Sequence, residues 1–172
     1  CVLDAEQEFY TRHNANPLRG LYPLSIEATD ALESARAAVA RFLGAAQSEE
    51  IVFTRNTSES LNLVAKSFAP TVLEPGDEVV ITIMEHHSNL VPWQLAAQRR
   101  GAEVRMLPFD DAGRLMTKRL SDLLDRRTRV VAVTQASNTL GTRPDLRSLI
   151  DEAHRAGAVV VVDGCQGIVH GG

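Results

Sequence analysis

Short apolar runs alternate with longer amphipathic stretches along most of the chain. In the amphipathic stretches apolar side chains recur every three or four residues, the spacing of one helix face, as in Ala28, Leu32, Val39 and Phe42. The pattern predicts helices over Leu3–His13, Ser25–Leu43, Ser58–Phe68, Leu90–Arg100, Thr117–Asp125 and Leu146–Ala156. The apolar runs predict strands over Glu50–Thr54, Val79–Ile83, Glu103–Leu107, Arg129–Thr134 and Ala158–Val162.

The predicted strands are short, continuously apolar and separated by helices. Strands of this kind belong to parallel sheets that helices cover on both faces. The sequence therefore predicts an α/β fold, a three-layer αβα sandwich with a mainly parallel sheet. Ligands bind such folds beyond the carboxyl ends of the strands, so the residues that directly follow each strand are the candidate functional residues.

Composition narrows the class of partner. The 172 residues include 18 basic and 22 acidic side chains, a net charge of −4, which argues against nucleic acid or an anionic membrane surface as the main partner. No apolar run approaches the ~20 residues of a membrane span. The two cysteines form neither a CxxC pair nor a metal-binding spacing, which favours a reducing compartment, and we expect a cytoplasmic protein.

Polar residues follow the first two predicted strands. Thr57 and Ser58 open a helix, and the positive end of a helix suits a phosphate group; the alternative is an ordinary helix cap formed by Asn56 or Thr57. After the second strand, His86 and His87 have three interpretations: metal ligands, an aromatic lid over a flat cofactor that also moves protons, or a polar surface loop.

The last two strands also end in polar side chains. Asn138 follows the fourth strand and can reach a ligand or simply form a turn. Asp163 ends a run of valines that reads as buried, so its carboxylate must be exposed, paired or hydrogen-bonded; a protonated ring nitrogen would pair it, and Gln166 could bond a ring hydroxyl. The alternatives are a helix cap for Asp163 and a small, half-buried side chain for Cys165.

Together these loops offer a phosphate seat, an imidazole, two amides and a carboxylate. That set fits pyridoxal 5′-phosphate better than a metal or a dinucleotide. The same segments resemble the cysteine desulfurases, SufS type, of the class V aminotransferase family. The resemblance rests on His13–Asn16, Phe53–Glu59, Met84–Gln94, Ser137–Gly141 and Val162–Gln166.

The resemblance implies that residues 1–172 are part of the pyridoxal-phosphate-binding large domain of a fold-type I enzyme, with an N-terminal segment and a C-terminal part absent. Thr57 and Ser58 would contact the phosphate, and His86 would stack on the ring and assist proton transfer. Asn138 and Gln166 would lie near the ring hydroxyl, and Asp163 would pair with the ring nitrogen.

The implied activity converts L-cysteine to L-alanine and leaves the sulfur as a persulfide on an enzyme cysteine, supplying iron–sulfur cluster assembly. The family resemblance also implies a homodimer and a sulfur-acceptor protein. Three positions depart from the family pattern: Asn56 replaces a glycine, Leu18 a histidine and Cys165 an alanine.

The lysine that carries the cofactor in the family has no match here. Only Lys66 and Lys118 are present, and neither follows a late strand, nor do Cys1 and Cys165 match the context of the sulfur-accepting cysteine. We therefore expect an internal fragment or truncated product that cannot attach the cofactor covalently by itself.

Other functions remain open at this stage. The chain could belong to a selenocysteine lyase or to another class V member, such as an epimerase or a kynureninase-like lyase. It could be a non-catalytic remnant that binds phosphates or a partner. A metal hydrolase would have to use the residues His86, His87, Asp163 and His170.

Overall fold

Helices and parallel strands alternate in a computed structural model of the chain, which describes residues 1–170. The chain packs as two units, residues 1–53 and a larger unit that begins at Thr54. The first unit holds α1 (Val2–Glu8), a π-helical turn (Phe9–His13), α2 (Pro23–Leu43) and a 3₁₀ turn (Ser48–Glu50). The larger unit holds α3 (Thr57–Ser67), α4 (Ala69–Val72), β1 (Glu78–Thr82), α5 (His87–Arg100), β2 (Glu103–Leu107), α6 (Leu120–Leu123), β3 (Thr128–Thr134), α7 (Leu146–Arg155), β4 (Val159–Asp163) and α8 (Gly167–His170).

The long helix α2 is confirmed, and its ends follow local rules. Pro23 occupies the first helical position, where its missing N–H costs nothing. Gly44 ends the helix in the left-handed conformation, with φ of 71°, which glycine adopts without a Cβ clash. The buried face carries Ser25, Ala28 and Ala40. The predicted apolar stripe is not buried along the whole helix, because Phe42 near its end is 72% exposed.

The strand predicted over Glu50–Thr54 is wrong. Glu50 ends a 3₁₀ turn, and residues 51–54 pair with no strand, although the backbone at Ile51 is extended. The Arg36 side chain donates to the Ile51 carbonyl, which occupies a group that a sheet ladder would use. Val52 and Phe53 are 66% and 47% exposed, and the Arg36 guanidinium lies 5.6 Å from the centre of the Phe53 ring.

The other predicted strands form one parallel sheet in the order β2-β1-β3-β4. Successive side chains of β1 point to opposite faces. Val79 and Ile81 pack in the core beneath α3, α4 and α5, whereas Val80 packs with Leu120 of α6 and Leu149 of α7. Helices thus cover both faces, and the predicted αβα sandwich is confirmed.

The outer strands are less buried than their apolar sequences suggest. Within residues 1–170, β2 and β4 lie at the two edges, and Val159 and Val162 of β4 are 43% and 37% exposed. The expectation of a fully buried valine run is therefore wrong for β4. A continuously apolar strand sequence does not distinguish a central strand from an edge strand.

Two helical segments also differ from the prediction. The helix expected over Thr117–Asp125 is a 3₁₀ turn (Thr117–Arg119) followed by the single turn of α6. The sequence pattern missed α4, which follows α3 directly and has Pro70 in its first turn. Among residues 1–170, none of the helices combines the length and the apolar character that crossing a membrane requires.

Candidate active site

A cavity of ≈ 200 Å³ opens at the carboxyl ends of β3 and β4, between the first turns of α3 and α5. It is lined by Thr57, Ser58, His86, Ser88, Thr134, Ala136, Asn138, Asp163, Cys165 and Gln166. Every residue that the sequence nominated as a cofactor ligand is in this set. The loops after β1, β3 and β4 meet at the carboxyl end of the parallel sheet and bring His86, Asn138, Asp163 and Gln166 together. Thr57 and Ser58 reach the cavity differently, through α3, which packs against α5.

The first turn of α3 has both a cap and free donors. Asn56 caps the helix, with its side-chain oxygen accepting the backbone N–H of Glu59 at 2.9 Å. Thr57 and Ser58 are the first two helical residues, whose N–H groups have no acceptor within a helix. Helix capping and phosphate binding at this turn are therefore compatible, since Asn56 caps the helix and the two hydroxyl residues line the cavity.

Helix α5 begins three residues earlier than predicted, at His87, and His86 is its cap. The imidazole Nδ1 of His86 accepts the backbone N–H of Ser88 at 3.1 Å. The His86 and His87 rings are nearly perpendicular, at 88° with centres 6.2 Å apart, and only His86 lines the cavity. This geometry is compatible with His86 as a lid over a flat cofactor in the cavity. It gives no support to a metal site that the two rings share.

Asp163 is the buried acid of the cavity. It is 5% exposed, and its Oδ1 accepts the backbone N–H of Cys165 at 3.0 Å. This bond closes a local turn two residues long, which replaces the expected helix cap. Asp163 forms none of the ion pairs found within residues 1–170.

The buried acids at the opposite end of the sheet are all paired. Glu78 is 1% exposed and forms ion pairs with Arg105 and Arg127. Asp77 forms an ion pair with Arg129 at 3.1 Å. A buried carboxylate without a cation is costly, so the contrast marks Asp163 as an acid that suits a positively charged group in the cavity.

The two amide side chains that line the cavity come from loops that are held by their own hydrogen bonds. Asn138 lies in a turn where Ser137 Oγ accepts the N–H groups of Thr139 and Leu140 at 3.3 and 3.1 Å. Gln166 lies in the turn between β4 and α8. That turn is fixed to the neighbouring strand, since the N–H of Gln135 donates to the Asp163 carbonyl at 2.9 Å.

Glu85 is a residue that sequence reasoning missed. Its carboxylate accepts hydrogen bonds from the Thr82 hydroxyl, from the Asn89 amide at 2.7 Å and from the backbone N–H of Thr134 at 2.8 Å. Asn89 in turn accepts from Trp93 Nε1 at 3.2 Å. The chain of bonds ties β1, α5 and β3 together and includes Thr134, which lines the cavity.

The polarity of this network is fixed by groups that only donate. Indole and peptide N–H groups cannot accept, so Trp93 fixes the orientation of the Asn89 amide. Asn89 and Thr134 must then both find an acceptor on Glu85. Burial nevertheless raises the pKa of Glu85, and the negative charge of Asp163 adds to the rise, while the three hydrogen bonds oppose it.

The remaining candidates lie apart from the cavity or differ from expectation. Cys165 is exposed rather than half-buried, and it lines the cavity. Lys66, Lys118 and His170 are not among the lining residues. Within residues 1–170, no three His, Cys, Asp or Glu side chains are grouped as a metal site would require.

Comparison with known proteins places this geometry in a family. Residues 1–172 match the family profile described as aminotransferase class V. The chain is 51% identical over 169 residues to a cysteine desulfurase of Pectobacterium atrosepticum and 52% identical over 170 residues to one of Dickeya dadantii. These alignments cover 98% and 99% of this chain but only 42% and 41% of the relatives.

Solved structures of cysteine desulfurases are similar to this chain. The cysteine desulfurase CsdA of Escherichia coli superposes with a TM-score of 0.87 at 42% identity, covering 99% of this chain and 43% of that one. The apo cysteine desulfurase of Thermococcus onnurineus gives a TM-score of 0.88 at 41% identity, covering 94% and 40%. The chain belongs to the class V aminotransferase family, whose members depend on pyridoxal phosphate. It spans about two fifths of the length of the curated relatives it matches.

Proposed function

We propose that the chain is the cofactor-binding part of a pyridoxal-phosphate-dependent cysteine desulfurase. The observation that carries the proposal is the cavity: all the residues that the resemblance assigns to the cofactor line it. The relatives at 51% and 52% identity, which are named cysteine desulfurases, support the same activity.

The donor set of the cavity fits pyridoxal phosphate. Asp163 is a buried carboxylate that no cation of residues 1–170 pairs, which suits a protonated pyridine nitrogen. Thr57 and Ser58 offer hydroxyls and helix N–H groups, which suit a phosphate. Asn138 and Gln166 offer amides, which suit a ring hydroxyl.

When bound, pyridoxal phosphate supplies an electron sink for a carbanion beside the substrate's amino group. Asp163 would keep the ring nitrogen protonated and so maintain that capacity. His86 would cover the ring and move a proton through its imidazole, since an imidazole exchanges protons near neutral pH. Overall, L-cysteine and an enzyme thiol give L-alanine and an enzyme persulfide, so one C–S bond breaks and one S–S bond forms.

Two parts of this reaction are not assigned to these residues. Lys66 lies in the last turn of α3 and Lys118 in a 3₁₀ turn, and neither lines the cavity. We assign covalent attachment of the cofactor, and likewise acceptance of the sulfur, to residues outside this stretch. The homodimer, the sulfur-acceptor protein and the cytoplasmic location stay predictions from the resemblance and the composition.

The activity is tested on the protein isolated from its source, assayed for L-alanine released from L-cysteine. We expect alanine and persulfide sulfur in equal amounts, and strong loss of both in His86→Gln but not in His154→Gln, a histidine in the last turn of α7. A protein that releases alanine from L-selenocysteine alone would be a selenocysteine lyase instead. A protein that holds no cofactor and releases no alanine would refute the proposal.

A further inference from the structure

One hydroxyl connects the two ends of the cavity that the proposed function uses. Ser88 Oγ lies 2.6 Å from Ser58 Oγ and 3.0 Å from His86 Nδ1. Ser58 belongs to the first turn of α3 and Ser88 to the first turn of α5. Ser88 also lines the cavity, yet neither the sequence nor the family resemblance singled it out.

The contacts of Ser88 determine which nitrogen of His86 can carry a proton. Nδ1 accepts the backbone N–H of Ser88 at 3.1 Å, and an N–H group cannot act as an acceptor. In this arrangement Nδ1 is therefore unprotonated. The proton of the neutral imidazole must lie on Nε2, which is the nitrogen left available to a ligand.

The hydroxyl of Ser88 reinforces this state when it donates its single hydrogen to His86 Nδ1, and an anion that binds Ser58 can redirect that hydrogen to Ser58 Oγ. If it donates to His86 Nδ1, it can accept from Ser58 Oγ. If it donates to Ser58 Oγ, the Ser58 hydroxyl is free to donate to an anion in the cavity. The 2.6 Å contact requires one of these two orders, because one hydroxyl of the pair must donate to the other.

We propose that Ser88 is a positioning residue that holds His86 as its Nε2–H tautomer and links its hydrogen bonding to an anion at Ser58. The relevance of this link to catalysis rests on the proposed function, in which Ser58 contacts the cofactor phosphate and His86 moves a proton. The tautomer itself depends only on the contacts of Ser58, His86 and Ser88.

The tautomer is measured from the ¹⁵N chemical shifts of histidine side chains in the cofactor-free protein at alkaline pH. We expect His86 as the Nε2–H form, with Nδ1 coupled through the hydrogen bond to the Ser88 N–H. Ser88→Ala, which removes the hydroxyl but keeps the N–H, should move the tautomer ratio roughly 2- to 10-fold towards Nδ1–H, the effect of losing one ordinary hydrogen bond.

The matched variants separate positioning from general packing. Ser88→Thr keeps a hydroxyl and should restore the ratio, whereas Ser67→Ala, which removes a hydroxyl bonded within α3, should leave it unchanged. His87 gives an internal reference in every spectrum. Inorganic phosphate should shift the His86 signals in the unaltered protein and shift them less in Ser88→Ala.

A spectrum of the unaltered protein with His86 protonated on Nδ1 would overturn the proposal, whatever the variants do. An unchanged ratio in a folded Ser88→Ala would overturn it as well. The spectra need neither cofactor nor turnover, so they are independent of the desulfurase assay, and failure of one does not imply failure of the other.

Discussion

Glu85 accepts a hydrogen bond from the backbone N–H of Thr134, 49 residues away along the chain, at 2.8 Å. The bond joins the loop after β1 to the last residue of β3. Because Thr134 pairs in register with Asp163 and lines the cavity, this contact holds the strand residue beside the buried acid. The Glu85 carboxylate is therefore a support for the site rather than a part of its lining.

Removal of the Glu85 carboxylate should destabilise the larger unit. Glu85→Ala leaves the buried donors of Thr134 and Asn89 without an acceptor, and each unsatisfied buried donor costs about 1–3 kcal/mol. We expect a loss of about 3 kcal/mol in the free energy of unfolding. Denaturant unfolding monitored by the fluorescence of Trp93, the only tryptophan, measures it. Glu74→Ala, an exposed glutamate, is the control, and an equal loss in both variants would contradict the supporting role.

Glu85 should also give stability a specific pH dependence. Burial raises the pKa of Glu85 above its ordinary value of 4.5, so the folded protein holds this proton more tightly than the unfolded chain. The stability that this proton contributes to the folded protein is fully present below pH 4.5 and is lost as the pH rises through the raised pKa of Glu85. Glu85→Gln cannot titrate.

The free energy of unfolding of the unaltered protein minus that of Glu85→Gln should therefore decrease as the pH rises through the raised pKa of Glu85. Denaturant unfolding at a series of pH values measures the difference, and Glu74→Gln is the control for an exposed carboxyl. A difference that stays constant with pH, or grows, would show that the pKa of Glu85 is not raised.

The cap of α3 should be replaceable by glycine at little cost. Asn56→Ala removes the acceptor of the Glu59 N–H and should cost about 1 kcal/mol, whereas glycine at a cap costs only a few tenths. This small cost would account for the glycine that the family resemblance implies at this position. Asn56→Asp keeps an acceptor and should preserve stability, and equal losses in Asn56→Ala and Asn56→Asp would exclude the cap.

Leu18, where the family resemblance implies a histidine, should carry backbone strain. Leu18 has φ of 66°, a left-handed conformation that costs a side-chain-bearing residue roughly 1–2 kcal/mol, and asparagine and histidine tolerate it better. Leu18→Asn should raise the stability of α2 amides to hydrogen exchange by about 1 kcal/mol. Leu21→Asn, at a 98% exposed leucine, is the control, and the same gain there would contradict the strain.

The sequence was informative where structure is decided locally. The cap at Asn56, the glycine end at Gly44 and the polar residues after β1, β3 and β4 follow from near neighbours along the chain. The prediction of a strand at Glu50–Thr54 was wrong because, within residues 1–170, no strand pairs with this segment. An apolar run shows what can pair, but not whether a partner strand is present.

The support of the site could not be predicted for the same reason. Ser88 and Glu85 gain their roles from Ser58 and Thr134, which are 30 and 49 residues away. Considered alone, Ser88 is an ordinary residue of a first helical turn. The only signal in the sequence was its position two residues after His86. A side chain at the start of a helix can accept an N–H group of the first turn, as His86 accepts that of Ser88.

Binding of pyridoxal phosphate to the cavity tests the central claim most directly. Absorbance titration should give saturable binding at one site per chain, weakened roughly 10- to 100-fold in Asp163→Asn, since a hydrogen bond to a charged group is worth about 1.5–3 kcal/mol. Asp151→Asn, at an exposed acid of α7, should bind like the unaltered protein. Absence of saturable binding, or equal affinity in Asp163→Asn, would contradict the assignment of Asp163 and of the cavity.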